Sequence, residues 1–234
     1  MRAYLWGVVR NIILMKFENG VYFITGIDTD IGKTICTGVL ARHALAQGQA
    51  VITQKLIQTG CQGSSDDLEK HRAMMGLTAD ERFLEDKQGL TAPAIYAYPA
   101  SPHLAAKLEN KSIDLSTLDK STQTLAERYD VVLVEGAGGL MVPLSEDLLC
   151  IDYLATRAYP CILVTSGRLG SINHTLLSLF ALKQYGIALH TLVFNGHDGS
   201  NDVMVAAETR HYLKNKLQEY FPEANWYEVD SVSP

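Results

Sequence analysis

The sequence predicts a single α/β domain built on a mostly parallel sheet with helices on both faces. Three observations carry that expectation. Short apolar runs, among them Val21–Ile24, Val131–Val134 and Cys161–Thr165, alternate with segments of helical pattern. Polar or charged residues close those runs, at Thr25, Lys55, Glu135, Thr165 and Asn195. One stretch, YFITGIDTDIGKT from Tyr22 to Thr34, joins a strand to a helix through a glycine-bounded loop.

The elements follow in order. Val21 to Ile24 is long enough for a buried strand, and the loop Thr25 to Gly32 leads into a helix over Lys33 to Gln47, stopped by Gly48. Ala50 to Leu56 reads as the second strand. The polar loop Ile57 to Ser65 precedes a helix from Asp66 to Met75, capped by Ser64 or Ser65. Thr78 to Pro102 holds three prolines and reads as an irregular cover over part of the site. Helices are expected near His103 to Leu108 and Ser116 to Arg128. The strand Val131 to Val134 ends at Glu135, and Gly136-Ala137-Gly138-Gly139 reads as a turn. A helix near Ile151 to Arg157, the strand Cys161 to Thr165, a helix Ser171 to Tyr185, the strand Leu189 to Phe194 ending at Asn195, and a helix Val203 to Glu219 complete the pattern.

Composition narrows the function. A chain of 234 residues, nearly half apolar, suits one domain with an ample core. A net charge of -6 argues against nucleic acid as a partner, and no apolar run reaches transmembrane length. Cys36, Cys61, Cys150 and Cys161 form no CxxC pair and read as reduced thiols of a cytoplasmic protein. Arg2, Arg10 and the apolar residues around them mimic a signal peptide, but Arg10-Asn11 breaks the run and no small-residue cleavage site follows. Met15-Lys16 is the more natural start. Residues 1–15 are therefore read as a non-native or disordered extension, and 16–234 as the domain.

The stretch around Lys33 carries the chemistry. Strand, glycine-bounded loop, Gly32-Lys33-Thr34 and helix form the phosphate cradle of a P-loop nucleotide enzyme. Backbone N–H groups of the loop and helix start point at the phosphates, where the helix dipole also favours negative charge. Lys33 reaches the terminal phosphates, and the Thr34 hydroxyl is a ligand for Mg²⁺. The spacing is unusual, since Gly26 and Gly32 enclose five residues where the general pattern has four. A bare GKT is equally an ordinary turn, but the strand before it and the small-residue helix after it favour the cradle.

In an open parallel sheet, ligands bind at the carboxyl ends of the strands. Those ends carry Lys55 and Glu135, read as a second cation at the phosphates and a Mg²⁺ ligand. The bland alternative is a pair of surface charges. Asp66 or Asp67 can supply the further carboxylate that Mg²⁺ needs, or both can serve only as partners of a helix dipole. Leu169 to Thr175 (LGSINHT) follows a strand and opens a helix, which makes a second anion site suited to a carboxylate, with Asn173 as a side-chain donor. The competing reading is a plain helix start capped by Ser171. His174 lacks an acidic or thiol partner in sequence and reads as structural, as do His43, His71, His103, His190, His197 and His211.

Together these residues resemble the dethiobiotin synthetases, ATP-dependent ring-closing enzymes of biotin synthesis. TGIDTDIGKT matches the modified P-loop, and KLIQTG at Lys55 to Gly60 corresponds to a Lys-Pro-x-x-Ser/Thr-Gly segment. Ser101-Pro102-His103, VEGAGGLMVPL at Val134 to Leu144, and LGSINHT also match, in the family's order. The resemblance implies that 7,8-diaminononanoate, CO₂ and ATP give dethiobiotin, ADP and phosphate through a carbamate. It implies that Thr29, Lys33 and Lys55 hold the carbamate and phosphoryl oxygens, and that Thr59 contacts the carbamate or amine end. Thr34, Glu135 and Asp67 (or Asp66) would hold Mg²⁺. ATP would meet Asp30, Ile31, Gly32, Lys33, Thr34, Ile35, Asp67, Glu135, Gly136, Ala137, Gly138 and Asn195. Asn173 and the backbone of Ser171 and Ile172 would take the substrate carboxylate across a homodimer interface.

Three departures stand out. Leu56 replaces a proline, Asp30 replaces a common glutamate, and FPEANWYEVDSVSP ends the chain without the usual Gly-x-Ile/Val-Pro base-binding stretch. Other readings are an amidating ligase of the same branch, a nucleotide-dependent switch ATPase, and an inactive paralogue. The ligase needs a glutaminase domain for which no length remains. The switch needs an early P-loop lysine, where this chain has Ile27, Asp28 and Asp30. The joint presence of Lys33, Lys55 and Glu135 argues against the paralogue.

Overall fold

A computed structural model describes residues 15–77, 83–197 and 202–229. Residues 1–14 of the extension read over 1–15, the first residues of the expected irregular cover and the last residues of the tail lie outside them. Met15 is buried, and its carbonyl accepts from His43 Nε2 and Gln47 Nε2, both at 2.9 Å.

The chain runs β1 (Gly20–Gly26), α1 (Lys33–Ala46), β2 (Val51–Lys55), β3 (Gln58–Thr59), α2 (Asp66–Met74), α3 (Leu84–Lys87), β4 (Ile95–Tyr96), α4 (Pro102–Leu108) and α5 (Leu115–Ala126). It continues with β5 (Val131–Gly139), α6 (Cys150–Arg157), β6 (Cys161–Ser166), α7 (Ser171–Gln184), β7 (Leu189–Asn195), α8 (Val203–Tyr220) and β8 (Asn225–Val229). Six strands form one sheet in the order β2-β5-β1-β6-β7-β8, and each of its pairings is parallel. From β1 the chain builds first toward β2 and later toward β8. The loop after β1 therefore opens at the point where the winding reverses, where such sheets bind ligands.

Alternation along β1 explains the layers. Tyr22 and Ile24 face one core with Leu40, Ala41 and Ala44 of α1, whereas Phe23 faces the other with Leu118, Leu125, Tyr153 and Leu179. Each such Leu or Phe contributes about 1.5–3 kcal/mol by leaving water. Helices thus cover both faces, as the alternating pattern requires.

Four local readings need correction. Gly136 to Gly139 continue β5 and are not a turn. The β1–β5 register shifts between Ile24 and Gly26 so that Gly26 pairs with Gly139, and Gly138 takes φ +63°, as in a bulge. A Cβ at position 139 would stand 3.0 Å from the Gly26 carbonyl oxygen, so the missing side chain lets the strand pass beneath the loop. The cover segment contains α3 and β4, and its backbone runs along β2, with Lys55 N donating to Thr91 O at 2.8 Å. β3, within the expected polar loop, pairs in parallel with β4. Finally, Asn225–Val229 of the tail forms a sixth strand beside β7. Its sequence, NWYEV, holds three strand-favouring residues in Trp226, Tyr227 and Val229, but is only five residues long, and the β7 edge pairs with it.

Candidate active site

Lys33 opens α1 directly after Gly32, which takes φ +89°. A side chain at 32 would be strained there and would collide with the Asn195 amide. Asn195, at the end of β7, donates from Nδ2 to the Ile31 carbonyl at 2.9 Å and accepts the His197 N–H at 3.0 Å. It braces the loop from across the sheet. Among the described residues no side chain caps the start of α1, so its first-turn N–H groups remain open to an anion. Lys33 is buried, and its Nζ donates to the Asp28 carbonyl at 2.9 Å. Burial lowers its pKa, only partly offset by Glu135. Thr29 and Asp30 are exposed at the loop tip, Asp30 with φ +55°, while Ile31 is buried and Ile35 half-buried.

Glu135 gathers the rest. It ends the apolar half of β5 and is 1% exposed. Its Oε1 accepts from Lys55 Nζ at 2.7 Å and from Thr34 Oγ1 at 3.0 Å. Lys55 Nζ also lies 2.7 Å from Asp67 Oδ2, in the first turn of α2. β2 and β5 are neighbours in register at Lys55 and Glu135, which is why residues 80 positions apart meet. Burial alone would push the Glu135 carboxyl up. The Lys55 ammonium and a bond from His71 outweigh it and hold the carboxyl well below the usual carboxylate range. Burial likewise opposes the Lys55 charge, but Glu135 and then Asp67 raise its pKa above the ordinary lysine value.

Asp66, beside Asp67, is exposed. Ser65 rather than Ser64 caps α2, accepting from Leu68 N at 3.2 Å. Gly136, Ala137 and Gly138 follow Glu135 under the loop, Gly136 buried and the other two half-buried. Thr59 is half-buried at the end of β3.

Thr34, Glu135 and Asp67 offer oxygen ligands only, around a position already marked by the Lys55 ammonium. That donor set fits a small hard cation such as Mg²⁺. Among the described residues no group of three His, Cys, Asp or Glu side chains could hold a metal by itself. A cation here would draw remaining ligands from phosphate oxygens and water.

The helix start read from the sequence as a second anion site is that of α7. Gly170 is its N-cap, with φ +93°, and no side chain among the described residues caps the helix. Ser171 is therefore not the cap. Its hydroxyl sits 3.0 Å from the Ser166 hydroxyl, and both are buried. The Ser171 N–H donates to the Arg168 carbonyl at 3.1 Å, which leaves the N–H groups of Ile172 and Asn173 to meet an anion; Ile172 is half-buried and Asn173 exposed. An ion pair between Arg168 and Asp28, at 2.5 Å, ties this loop to the phosphate loop.

Sequence reasoning passed over His71. It is fully buried, with Nε2 2.7 Å from Glu135 Oε2 and Nδ1 3.1 Å from Thr53 Oγ1. The available signal was its spacing, four residues after Asp67 and so on the same face of one helix.

Comparison with known proteins adds identity to this geometry. A family described as an AAA domain matches residues 20–220. A protein named ATP-dependent dethiobiotin synthetase BioD 2, from Pasteurella multocida, is 50% identical over 91% of this chain and 98% of its own length. One of the same name from Haemophilus influenzae is 55% identical over 76% of this chain and 91% of its own. Among solved structures, the cell division protein FtsY of Thermotoga maritima has a TM-score of 0.55 at 16% identity, covering 91% of this chain and 62% of that one. That last likeness concerns the fold alone.

Proposed function

The chain belongs to the ATP-dependent dethiobiotin synthetase family, within the AAA-domain proteins, and from that membership we propose how it closes a ureido ring. The substrates are 7,8-diaminononanoate, CO₂ and ATP. One amine adds to CO₂ and loses a proton, giving a carbamate. A carbamate oxygen attacks the γ-phosphorus and ADP leaves, giving a carbamic-phosphoric anhydride. The second amine attacks the carbonyl carbon, expels phosphate and closes the ring.

No side chain needs to bond covalently to the substrate. The protein's task is to position the reactants and neutralise charge at the transferring phosphoryl group. Lys33 and Lys55 supply two ammonium groups, and Thr29 at the loop tip holds a phosphoryl or carbamate oxygen. Thr59 meets the carbamate or amine end. Thr34, Glu135 and Asp67 hold Mg²⁺, which neutralises the charge of the β- and γ-phosphates when bound. Asp30 to Ile35, Gly136 to Gly138 and Asn195 shape the nucleotide site. The observation that carries this reading is the meeting of Lys55, Thr34 and Asp67 around Glu135.

The open start of α7, with Asn173, takes the diamine's carboxylate. The enzyme works as a homodimer with this site at the interface. Leu169, Leu177 and Phe180 support that reading, since they are 91%, 60% and 57% exposed at and along α7. Among the described residues no helix is long and apolar enough to cross a membrane, and the cysteines are free, in keeping with work in the cytoplasm. The test is ADP release with Mg²⁺-ATP and bicarbonate, with and without the diamine. Strict dependence on the diamine, with dethiobiotin identified by mass spectrometry, is expected. ADP release indifferent to the diamine would overturn the proposal.

A further inference from the structure

We propose that His71 is a positioning residue that fixes the carboxylate of Glu135, so that Oε1 alone faces the nucleotide and its cation. The inference rests on the reading of Glu135 as a Mg²⁺ ligand. Glu135 carries the charge and can only accept, so His71 Nε2 must be the donor across their 2.7 Å contact. The other ring nitrogen meets Thr53 Oγ1 at 3.1 Å. That hydroxyl accepts an N–H from Arg72 Nη1, which leaves its own proton free to point at His71 Nδ1. Arg72 is in turn held by Asp86, with Nε donating to Oδ2 at 2.9 Å. The ring is thus clamped at both ends among buried groups.

Backbone geometry shows why the ring reaches. Thr53 and Lys55 project from the same face of β2, and Asp67 and His71 from the same face of α2. α2 comes close because α1 carries Gly38 opposite it. A Cβ at 38 would stand 2.5 Å from Met74 Cβ and 3.2 Å from His71 Cα. Without His71, the glutamate would keep its charge-neutralising contacts on Oε1 but lose the bond that orients Oε2. Such outer partners of metal ligands change affinity or activity by about 10–100-fold when removed.

The experiment is Mn²⁺ binding in saturating ADP, read by electron paramagnetic resonance on the full chain, beside thermal melting without metal. His71→Leu should raise the Mn²⁺ dissociation constant by about 10–100-fold. His71→Gln, whose amide nitrogen can stand where Nε2 stands, should recover most of the affinity. His71→Asn, too short to reach, should not. A purely structural histidine would lower the melting temperature in all three without separating Gln from Asn in metal affinity, and that result overturns the proposal. If His71→Leu does not fold, the Gln–Asn comparison decides alone. Glu135→Gln separates the layers. Unchanged Mn²⁺ affinity there sinks the ligand reading, whereas loss there with wild-type affinity in the His71 variants sinks only the positioning role.

Discussion

Lys55 Nζ and Glu135 Oε1 lie 2.7 Å apart at the ends of adjacent parallel strands, with only 7% and 1% of their side chains exposed. Removing one partner of such a buried pair strands the other charge, at a cost of about 3–5 kcal/mol. Lys55→Met should therefore lower unfolding free energy in urea by roughly that amount and abolish turnover. Adding Glu135→Gln should restore much of the stability and none of the activity. Full stability in the single variant would show that the pair is solvated in solution.

Asp67 and Asp66 can be told apart by charge removal. Asp67→Asn is expected to weaken Mg²⁺-dependent nucleotide binding, measured by calorimetry, much more than Asp66→Asn. The reverse ranking would move the ligand role to Asp66.

Gly32→Ala tests the loop. An alanine held in the left-handed region is disfavoured by about 1–2 kcal/mol, and its methyl group would also displace the Asn195 amide. The expected outcome is a lower melting temperature together with loss of ADP-induced stabilisation. Retained stabilisation by ADP would show that the loop yields without losing its cradle.

Asn173→Ala addresses the carboxylate end. A hydrogen bond to a charged group contributes about 1.5–3 kcal/mol, so KM for the diamine should rise about tenfold or more. KM for ATP should stay put. Equal changes in both would argue for a general distortion of α7.

A clasp remote from the site offers a pH test. Arg157 donates Nε and Nη2 to Asp119 at 2.9 and 2.7 Å, and Tyr153 adds its hydroxyl at 2.9 Å. The Arg157 bonds, opposed by some burial and helped by Tyr153, hold the Asp119 carboxyl below the usual range. A lowered folded-state pKa means that the unfolded chain takes up the proton first as pH falls. The stabilisation is complete above the unfolded-state value of about 3.9 and disappears as pH drops through the folded one. Asp119→Asn should melt earlier than wild type at neutral pH, with the gap closing only in that acid window. A gap constant with pH would exclude the ion pair as its source.

The phosphate loop was legible because its function is local. Gly32, Lys33 and Thr34 are neighbours in the chain, and the strand and helix on either side are announced by their own patterns. Lys55 and Glu135 were legible for a different reason, since each ends an apolar run and the ends of parallel strands converge. What stayed hidden depended on contact between distant segments. His71 had no partner in sequence because Glu135 comes 64 positions later. Gly136 to Gly139 looked like a turn, since glycine signals a bend unless a neighbouring strand claims its backbone.

By itself, the sequence determined the α/β alternation, the phosphate cradle, the strand-end charges and the family. All of these follow from short-range periodicity and from residues whose chemistry travels with their neighbours. Only the tertiary structure decided that Asp67 meets Lys55, that Ser171 does not cap its helix and that the tail adds a strand. It also decided that His71 holds the far oxygen of Glu135. The physical reason is common to all four. A buried polar group must find a partner, and which partner is within reach depends on how helices and strands stack rather than on the order of residues in the chain.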